Sequence, residues 1–256
     1  MHQNVRTQTG LFEGWARYFE QNLDRHDRLD AEIPWASVSP LTQADQRVLA
    51  RSLQRFELGE RGEGQGLRSK ARRRGSAAYD AALVLFVREE QKHSALFGRV
   101  LRRFHTEPLS AHWSDAAFVL LRRLMGLRTE VTLFLVAETV ALEYFGALER
   151  SADPVVRGVA QRVLTDEVEH ICFQIDQLRV GFAGAPQGVR MLAAATAWLV
   201  AVGAATVVAI DHGPALRVGG LSRRVFWGRA LRHFARAAGE AYLTPMEVSE
   251  APHASR

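Results

Sequence analysis

Apolar residues recur at intervals of three and four along most of the 256-residue chain, and glycine and proline residues separate the apolar runs. This spacing places apolar side chains along one side of an α-helix, whereas a half-buried strand alternates apolar and polar residues. The pattern therefore predicts an all-α protein. The predicted helices span about 42–70, 77–104, 114–150, 154–181, 187–212 and 222–242.

Sequence signals for helix ends mark several of these boundaries. Thr42 followed by Asp45 resembles a capping box at the start of the first helix. Asp153 before Pro154 combines a capping residue with a proline at the first helical position. Gly126 lies inside the third predicted helix, where it could produce a kink.

The helices are predicted to form one unit with an arm before it and a tail after it. Residues 1–40 contain a short predicted helix near Leu11–Leu23 and are otherwise expected to be an irregular arm. Residues 41–182 hold the first four long helices, and residues 183–246 supply additional helices that pack on them. Residues 247–256 are expected to be a disordered tail.

The composition is that of a globular protein, since 47% of the residues are hydrophobic and 24% are charged. Cys172 is the single cysteine, which excludes an internal disulfide and a cysteine-based zinc site and favours a reducing compartment. The first residues, MHQNVRTQTGLFEGW, contain no apolar run of signal-peptide length. We therefore expect a cytoplasmic protein.

The formal net charge is +5, and nearly all the basic residues are arginine. Such a bias is more typical of genome composition than of a nucleic-acid surface, so no nucleic-acid partner is expected. One basic cluster extends from Arg68 to Arg74 and includes the turn RRRGS. It could dock an acidic carrier protein or a reductase, and a solvated loop is the alternative.

The segment Met191–Ile210 contains twenty residues without a charge, which is the length of a membrane span. Its many alanines, with Thr196 and Thr206, make it only marginally apolar on an insertion scale. We therefore favour a buried bundle helix over a membrane segment. The helices after residue 181 could also line a substrate pocket, form a homodimer face or be plain core.

Two short segments, REEQKH ending at His93 and TDEVEH ending at His170, repeat an acidic pair followed by two residues and a histidine. Residues i and i+3 lie on the same face of a helix, so Glu90 and His93 can reach one point in space. Glu167 and His170 have the same relation. Both pairs are in register with apolar residues, where the core should be. Because a buried carboxylate needs a partner, a proton or a cation, the repeat predicts a metal site.

Two more carboxylates are expected from the predicted helices that lack the motif. Glu138 shares a face with apolar residues of the third helix and lies level with Glu167 across the turn near residue 152. Glu60 continues an apolar stripe of the first helix and lies level with Glu90 across the turn near residue 75. Both are therefore predicted to face the same point as the motif residues.

Four other residues remain as alternatives. Glu57 is the rival on the first helix, because nearby glycines could end that helix early, and Glu63 lies one turn further along. Glu143 lies well round the third helix from Glu138. His212 follows the long apolar run and could be an additional ligand or a proton relay, or simply a residue at a helix end.

This combination resembles the ferritin-like di-iron carboxylate superfamily over about residues 42–181. The resemblance implies an antiparallel four-helix bundle with extra C-terminal helices, holding two iron ions, with manganese as an alternative. Glu89 and Asp166 match the outer carboxylates of that superfamily, each bonding the free ring nitrogen of the opposite helix's histidine. The implied ligands are Glu60, Glu90, His93, Glu138, Glu167 and His170.

The function implied by the resemblance is that of an oxidoreductase that activates O2 and hydroxylates or N-oxygenates a small organic substrate. Imidazole and carboxylate ligands suit iron and manganese. The sequence has no flavin, nicotinamide or cysteine-cluster motif, so electrons would come from an external reductase. The alternatives are a ferroxidase or other iron-handling protein, and a helical binding module without a metal.

Overall fold

A computed structural model describes residues 8–113, 119–120 and 125–244. Within these residues the protein is all-helical, with no strand. The helices are α1 (Gln8–Glu32), α2 (Gln43–Glu60), α3 (Gln65–Arg72), α4 (Ala77–Arg103), α5 (Leu127–Leu148), α6 (Pro154–Gly181), α7 (Gln187–Asp211), α8 (Gly213–Val218) and α9 (Arg223–Ala238), followed by a π-helical turn, Gly239–Leu243.

The predicted helix starts are confirmed where a capping residue was recognised. The Thr42 hydroxyl accepts a hydrogen bond from the backbone N–H of Asp45 at 3.1 Å. Asp153 accepts two hydrogen bonds from the first turn of α6, which begins with Pro154. These bonds satisfy backbone donors that no helical carbonyl can reach, which fixes both starts.

The expectation of an irregular N-terminal arm is wrong, because α1 is a helix of 25 residues that packs on α4 and α6. Its buried positions are Phe12, Phe19, Asn22 and His26. Two of these four residues are polar, so the apolar periodicity along this helix is weak. The predicted short helix near Leu11–Leu23 is therefore part of a longer helix, and the sequence pattern missed the second half, where the buried side chains are polar.

The predicted helix 42–70 is wrong in its second half, since α2 ends at Glu60 and a separate helix, α3, begins at Gln65. Gly64 between them has φ of +61°, a left-handed conformation that favours glycine. A Cβ at this position would lie 2.5 Å from a methyl carbon of Val87, so the close approach of α4 also requires glycine. The chain therefore turns within the glycine-rich stretch.

Two further boundaries differ from the prediction. The helix predicted over 114–150 corresponds in the described residues to α5, which begins at Leu127 with Gly126 as its N-cap. Gly126 therefore starts a helix instead of kinking one. The beginning of the predicted helix 114–150 falls on residues that are largely outside the described part of the chain. The predicted helix 222–242 becomes α9 and a π-helical turn. The predicted tail, 247–256, also lies outside the described residues.

Helices α2, α4, α5 and α6 surround the common interior, in which α2 packs on α4, α4 on α6, and α5 on α6. Helix α1 covers α4 and α6 from one side, and α9 packs on α5 and α7 on another. Aromatic side chains fill the interior; for example, the rings of Phe97 and Phe145 stack with centroids 5.4 Å apart. The acidic pairs of both motifs lie in the middle of α4 and α6, within this packed interior.

Two of the described helices, α5 and α7, are long and apolar enough to cross a membrane by length and composition alone. In the most apolar window of α5, 78% of the residues are buried, but in that of α7 only 22% are. The expectation that residues 187–212 form a buried bundle helix is therefore wrong. Helix α7 buries a single stripe of alanines, Ala197, Ala201, Ala205 and Ala209.

Candidate metal centre

The histidine of each motif lies beside the glutamate of the other motif. His170 Nδ1 is 2.7 Å from Glu90 Oε1, and His93 Nδ1 is 3.6 Å from Glu167 Oε1. All four side chains are buried. The 77 residues between Glu90 and Glu167 are therefore folded so that α4 and α6 present their motifs to one point.

Within the described residues, three groups of side chains could each hold a metal ion, with the ligand atoms of each group within 4.8 Å of one another. One of them, His26 with Glu89 and Asp166, lies behind the motif histidines, and the other two lie at this point. Of these two groups, one is Glu90, His93 and Glu167, and the other is Glu90, Glu138 and His170. Glu90 belongs to both groups. The arrangement is thus a pair of adjoining sites that share one carboxylate.

The acidic residue before each motif glutamate bonds the histidine of the opposite helix. His93 Nε2 donates to Asp166 Oδ2, and His170 Nε2 donates to Glu89 Oε2, each at 2.9 Å. A carboxylate only accepts, so these bonds place the ring proton on Nε2 and leave Nδ1 of a neutral imidazole free to bind a cation. This crossed pairing is the one that the resemblance implied for Glu89 and Asp166.

Helix α1 supplies two further partners that the sequence analysis missed. His26 Nε2 is 3.1 Å from Asp166 Oδ1 and 3.6 Å from Glu89 Oε1. Asn22 Nδ2 donates to Glu89 Oε1 at 3.1 Å. The signal that could have found them is the i, i+4 spacing of Asn22 and His26, in helical register with Phe12 and Phe19.

The two outer carboxylates have different surroundings. Burial alone would raise the pKa of Asp166, but hydrogen bonds from His26 and His93 and the charge of Arg162 hold it below its usual value. The Arg162 guanidinium bonds Asp166 through Nη1 and Asp30 through Nε. Asp166 is therefore anchored as an anion.

Glu138 and Glu60 both reach the cluster from the helices without the motif. Glu138 is buried and accepts a hydrogen bond from Gln174. Burial and the nearby Glu167 carboxylate raise its pKa well above the usual range. Glu60 is half-buried and shares a hydrogen bond with Glu90, and burial together with this neighbour raises the pKa of Glu60 well above its usual range. Several carboxyl groups in one small interior cannot all carry a charge without a compensating cation.

The motif histidine on α6 responds to the same concentration of negative charge. Burial by itself would lower the pKa of His170, but the Glu90 carboxylate beside it raises that pKa well above the ordinary value. Burial and the charge of Glu90 also raise the pKa of Glu167 to about 7. Both shifts reflect the excess of negative charge around these side chains, which favours a bound cation.

Unsatisfied atoms provide the test of whether these residues fit a metal. In the part of the chain that the structure describes, the buried atoms without a hydrogen-bond partner include His93 Nδ1, His170 Nδ1 and one oxygen each of Glu90, Glu138 and Glu167. Leaving buried polar atoms unpaired is unfavourable by about 1–3 kcal/mol each. These five atoms belong to the two ligand groups, and a cation in each group would satisfy them. Nitrogen and carboxylate oxygen donors suit iron, manganese or zinc.

Comparison of the chain with protein-family models, with curated proteins and with solved structures returns no match. The interpretation of the site therefore depends on the geometry of its own residues.

The alternatives on and after α2 lie apart from the two ligand groups. Glu57 is buried but bonds the Arg61 guanidinium, whose Nε lies 3.0 Å from Glu57 Oε1. Glu63 is exposed and accepts a hydrogen bond from Gln65. Because α2 continues to Glu60, the later residue and not Glu57 reaches the cluster.

Glu143 and His212 also have partners elsewhere. Glu143 faces α9, where Arg229 and His233 approach its two carboxylate oxygens at 3.2 and 3.3 Å. His212 Nδ1 lies 2.6 Å from the Ser52 hydroxyl, and burial lowers the pKa of His212 to about 3. Both residues therefore join the C-terminal helices to the interior helices and do not belong to the candidate site.

Proposed function

We propose that the protein is a ferritin-like di-iron oxidoreductase that activates O2 to hydroxylate or N-oxygenate a small organic molecule. The observation that carries the proposal is the convergence of two Glu-x-x-His pairs, on α4 and α6, with Glu60 and Glu138 from α2 and α5. Four carboxylates and two imidazoles in this arrangement are the ligand set of dinuclear centres in four-helix bundles. Iron is proposed because these donors suit it and because both of its common oxidation states accept them.

The candidate ligands would hold two metal ions. His93 and His170 would each help to hold one ion through Nδ1, and Glu90, which belongs to both groups, would contribute to both. Two bound ferrous ions would supply the electrons for two-electron reduction of O2. Glu60, Glu138 and Glu167 would complete the negative charge that holds two divalent cations in a buried interior.

The protein itself supports this chemistry by orientation and by exclusion of water. Glu89 and Asp166 fix the tautomer and direction of the two imidazoles. Phe86 lies edge-on to the His170 ring at 4.8 Å, and Phe19 lies 6.0 Å from the same ring. These aromatic side chains form a dry wall on one side of the site, where a reactive oxidant would be protected from water.

The remaining partner in the proposal is a source of electrons. Within the basic cluster, Lys70 bonds the buried Glu130, and Arg72 bonds Asp80, so these cations have partners inside the protein. Arg73 and Arg74 are exposed at the turn between α3 and α4. A reductase or acidic carrier protein would dock at these two arginines.

The proposal is tested by loading the purified full-length protein with ferrous iron without oxygen, and then admitting O2. We expect about two irons per chain, oxidised in a single turnover and returned to the ferrous state by a chemical reductant without loss of metal. Accumulation of ferric iron far beyond that ratio would instead identify an iron-handling protein. No retained iron or manganese would identify a module without a metal.

A further inference from the structure

Helix α7 presents an extended apolar surface to the outside of the protein. Its alanine stripe is buried, while the opposite side exposes large apolar side chains. Leu199 is 72% exposed and Leu192 is 69% exposed. The other exposed large apolar residues of this helix are Val189, Met191, Trp198 and Ile210. Such a contiguous apolar surface is rare on a protein that has no partner there.

Helix α9 lies beside this surface and extends it. Trp227 Nε1 donates to Thr206 Oγ1 at 3.0 Å, so the exposed indole of α9 rests against the exposed side of α7. At the end of α7, Arg223 Nη2 lies 3.4 Å from the Ile210 carbonyl oxygen. The apolar side of α7 is thus bordered by a tryptophan and an arginine of α9. We call the exposed sides of α7 and α9 the outer surface.

The outer surface belongs to a basic region of the chain. Residues 183–244 contain seven arginines and only two acidic residues, an excess of five that equals the net charge of the whole protein. Six of these arginines are exposed. The arginines are Arg190, Arg217, Arg223, Arg224, Arg229, Arg232 and Arg236, and the acids are Asp211 and Glu240. An apolar surface bordered by unbalanced positive charge is complementary to a partner that is both apolar and anionic.

We propose that the outer surface binds the anionic face of a phospholipid bilayer, with α7 lying in the plane of the membrane. Exposed leucine, isoleucine and methionine side chains of α7 would enter the boundary between headgroups and acyl chains. The exposed Arg224 and Arg232 of α9 would pair with lipid phosphates, whereas Arg229 is already paired with Glu143. Trp198 and Trp227 would occupy the headgroup level that indole rings favour. The membrane is thus the partner of this surface, independent of the metal centre.

The packing of α7 explains why it lies on the membrane and does not cross it. The alanine stripe from Ala197 to Ala209 packs against the protein along the middle and end of the helix, and α5 and α9 flank it. Crossing would carry the exposed arginines of α9 into hydrocarbon beside α7. Each arginine at the centre of a bilayer is strongly unfavourable, whereas at the lipid surface it is attracted.

Charge and area distinguish this partner from a second copy of the chain. A helix of 25 residues presents a face about 37 Å long and about 10 Å wide, which is roughly half of the 800 Å² that each partner buries in a stable interface. A larger two-fold interface would include α9 and would bring the arginines of both copies into one interface, because the same surface contributes from each side. An anionic lipid surface accepts both the apolar and the basic residues.

The test is sedimentation of the full-length protein with vesicles of phosphatidylcholine alone, or with about 30% phosphatidylglycerol, at low and high salt. We expect binding to the anionic vesicles at low salt, weakened as salt screens the arginines. Leu192→Gln with Leu199→Gln should weaken the partition coefficient at least about tenfold, since two apolar side chains no longer leave water. Arg224→Gln with Arg232→Gln should weaken it by about tenfold or more.

Matched control variants remove the same groups elsewhere. Val38→Gln with Leu120→Gln replaces two exposed apolar residues outside the outer surface, and Arg47→Gln with Arg51→Gln removes two exposed charges from α2. Both controls should bind vesicles as the unmodified protein does, and all variants should keep the same metal content. Equal binding to both kinds of vesicle, or equal losses in test and control variants, would overturn the proposal. A dimer that Leu192→Gln with Leu199→Gln dissociates, without vesicle binding, would show that a second copy covers the surface.

Discussion

Helices α5 and α7 have similar length and are both apolar enough to span a membrane, yet they occupy opposite environments. Helix α5 lies inside, although it contains three buried glutamates, Glu130, Glu138 and Glu143. Helix α7 has no charge between Met191 and Ile210, and only 22% of its most apolar window is buried. Average apolarity therefore does not decide which helix is central. The helix in the interior is α5, whose buried glutamates have polar partners on several neighbouring helices.

Each glutamate of α5 illustrates this point with a different partner. Glu130 bonds Lys70 of α3, Glu138 bonds Gln174 of α6, and Glu143 bonds Arg229 of α9. These side chains bind α5 to helices around it, so burial of each acid is accompanied by a polar contact. Helix α7 uses small alanines at its protein contact and leaves its larger apolar residues outside.

The largest effect is expected from a charge placed on the buried side of α7. Ala201→Glu should lower the free energy of unfolding by about 3 kcal/mol or more, because the new carboxylate would be buried without a partner. Leu199→Glu, two residues away on the exposed side, should change it by no more than about 0.5 kcal/mol. Urea unfolding measures both. Similar losses in the two variants would mean that both sides of α7 are covered in solution.

The next effect distinguishes two glutamates of α5 by their roles. Glu138→Gln should lower the affinity for ferrous or manganous ions at least about a hundredfold, since it removes a charged donor from the cluster. Glu143→Gln removes the same charge but should leave metal affinity unchanged, because that side chain faces Arg229 and His233. Metal titration of both variants makes the comparison. Loss of binding in Glu143→Gln alone would place the site on the other face of α5.

A smaller effect is expected when metal affinity is compared between a variant on α1 and a variant on α7. Both helices cover the interior helices from outside. His26→Ala should lower metal affinity by about tenfold, because Asp166 and Glu89 lose a shared partner and orient the two histidines less firmly. Leu192→Gln on α7 should leave the affinity unchanged. The same metal titration, with helicity checked by circular dichroism, measures both. An unchanged affinity in a folded His26→Ala protein would limit α1 to a covering role.

The smallest effect concerns the link between the C-terminal helices and the interior. Ser52 joins the Tyr144 hydroxyl and His212 Nδ1, each at 2.6 Å. Ser52→Ala should lower the free energy of unfolding by about 1–2 kcal/mol, because two buried polar atoms lose a partner. Metal content should stay the same, since none of these three residues belongs to a ligand group. A loss of metal in this variant would connect His212 to the site after all.

Much of the helical framework could be predicted from the sequence because its boundaries are local. The caps at Thr42 and Asp153 predicted the starts of α2 and α6, and the 3.6-residue periodicity predicted α4 and α6 nearly to the residue. The motif spacing likewise placed Glu90, His93, Glu167 and His170 on facing helices, since i and i+3 positions share a face whatever lies around them. These features depend on short stretches of chain, so the sequence contains them directly.

The parts that could not be predicted depend on contacts between distant segments. The importance of Asn22 and His26 appears only when α1 lies across α4 and α6, because the same residues on an exposed helix would be ordinary surface. The break after Glu60 requires Val87 of α4 close to Gly64. The exposure of α7 depends on which helices pack against it and which of its sides they leave uncovered. The periodicity of a single sequence indicates which side of a helix is apolar, but it does not indicate which neighbouring helix packs on that side.

The crossed hydrogen bonds of the two motifs also define an approximate two-fold symmetry. Glu60 and Glu138 are 78 residues apart and Glu90 and Glu167 are 77 apart, so the glutamates have nearly the same spacing in the two halves, although α3 occurs only in the half with α2 and α4. Helix α1 breaks this equivalence. Asp166 receives His26 and the Arg162 cation, whereas Glu89 receives the neutral amide of Asn22 and a longer contact from His26. His93 is therefore held by a strongly anchored anion and His170 by a less neutralised one, so the two motif histidines differ in their surroundings although the residues of the two motifs match.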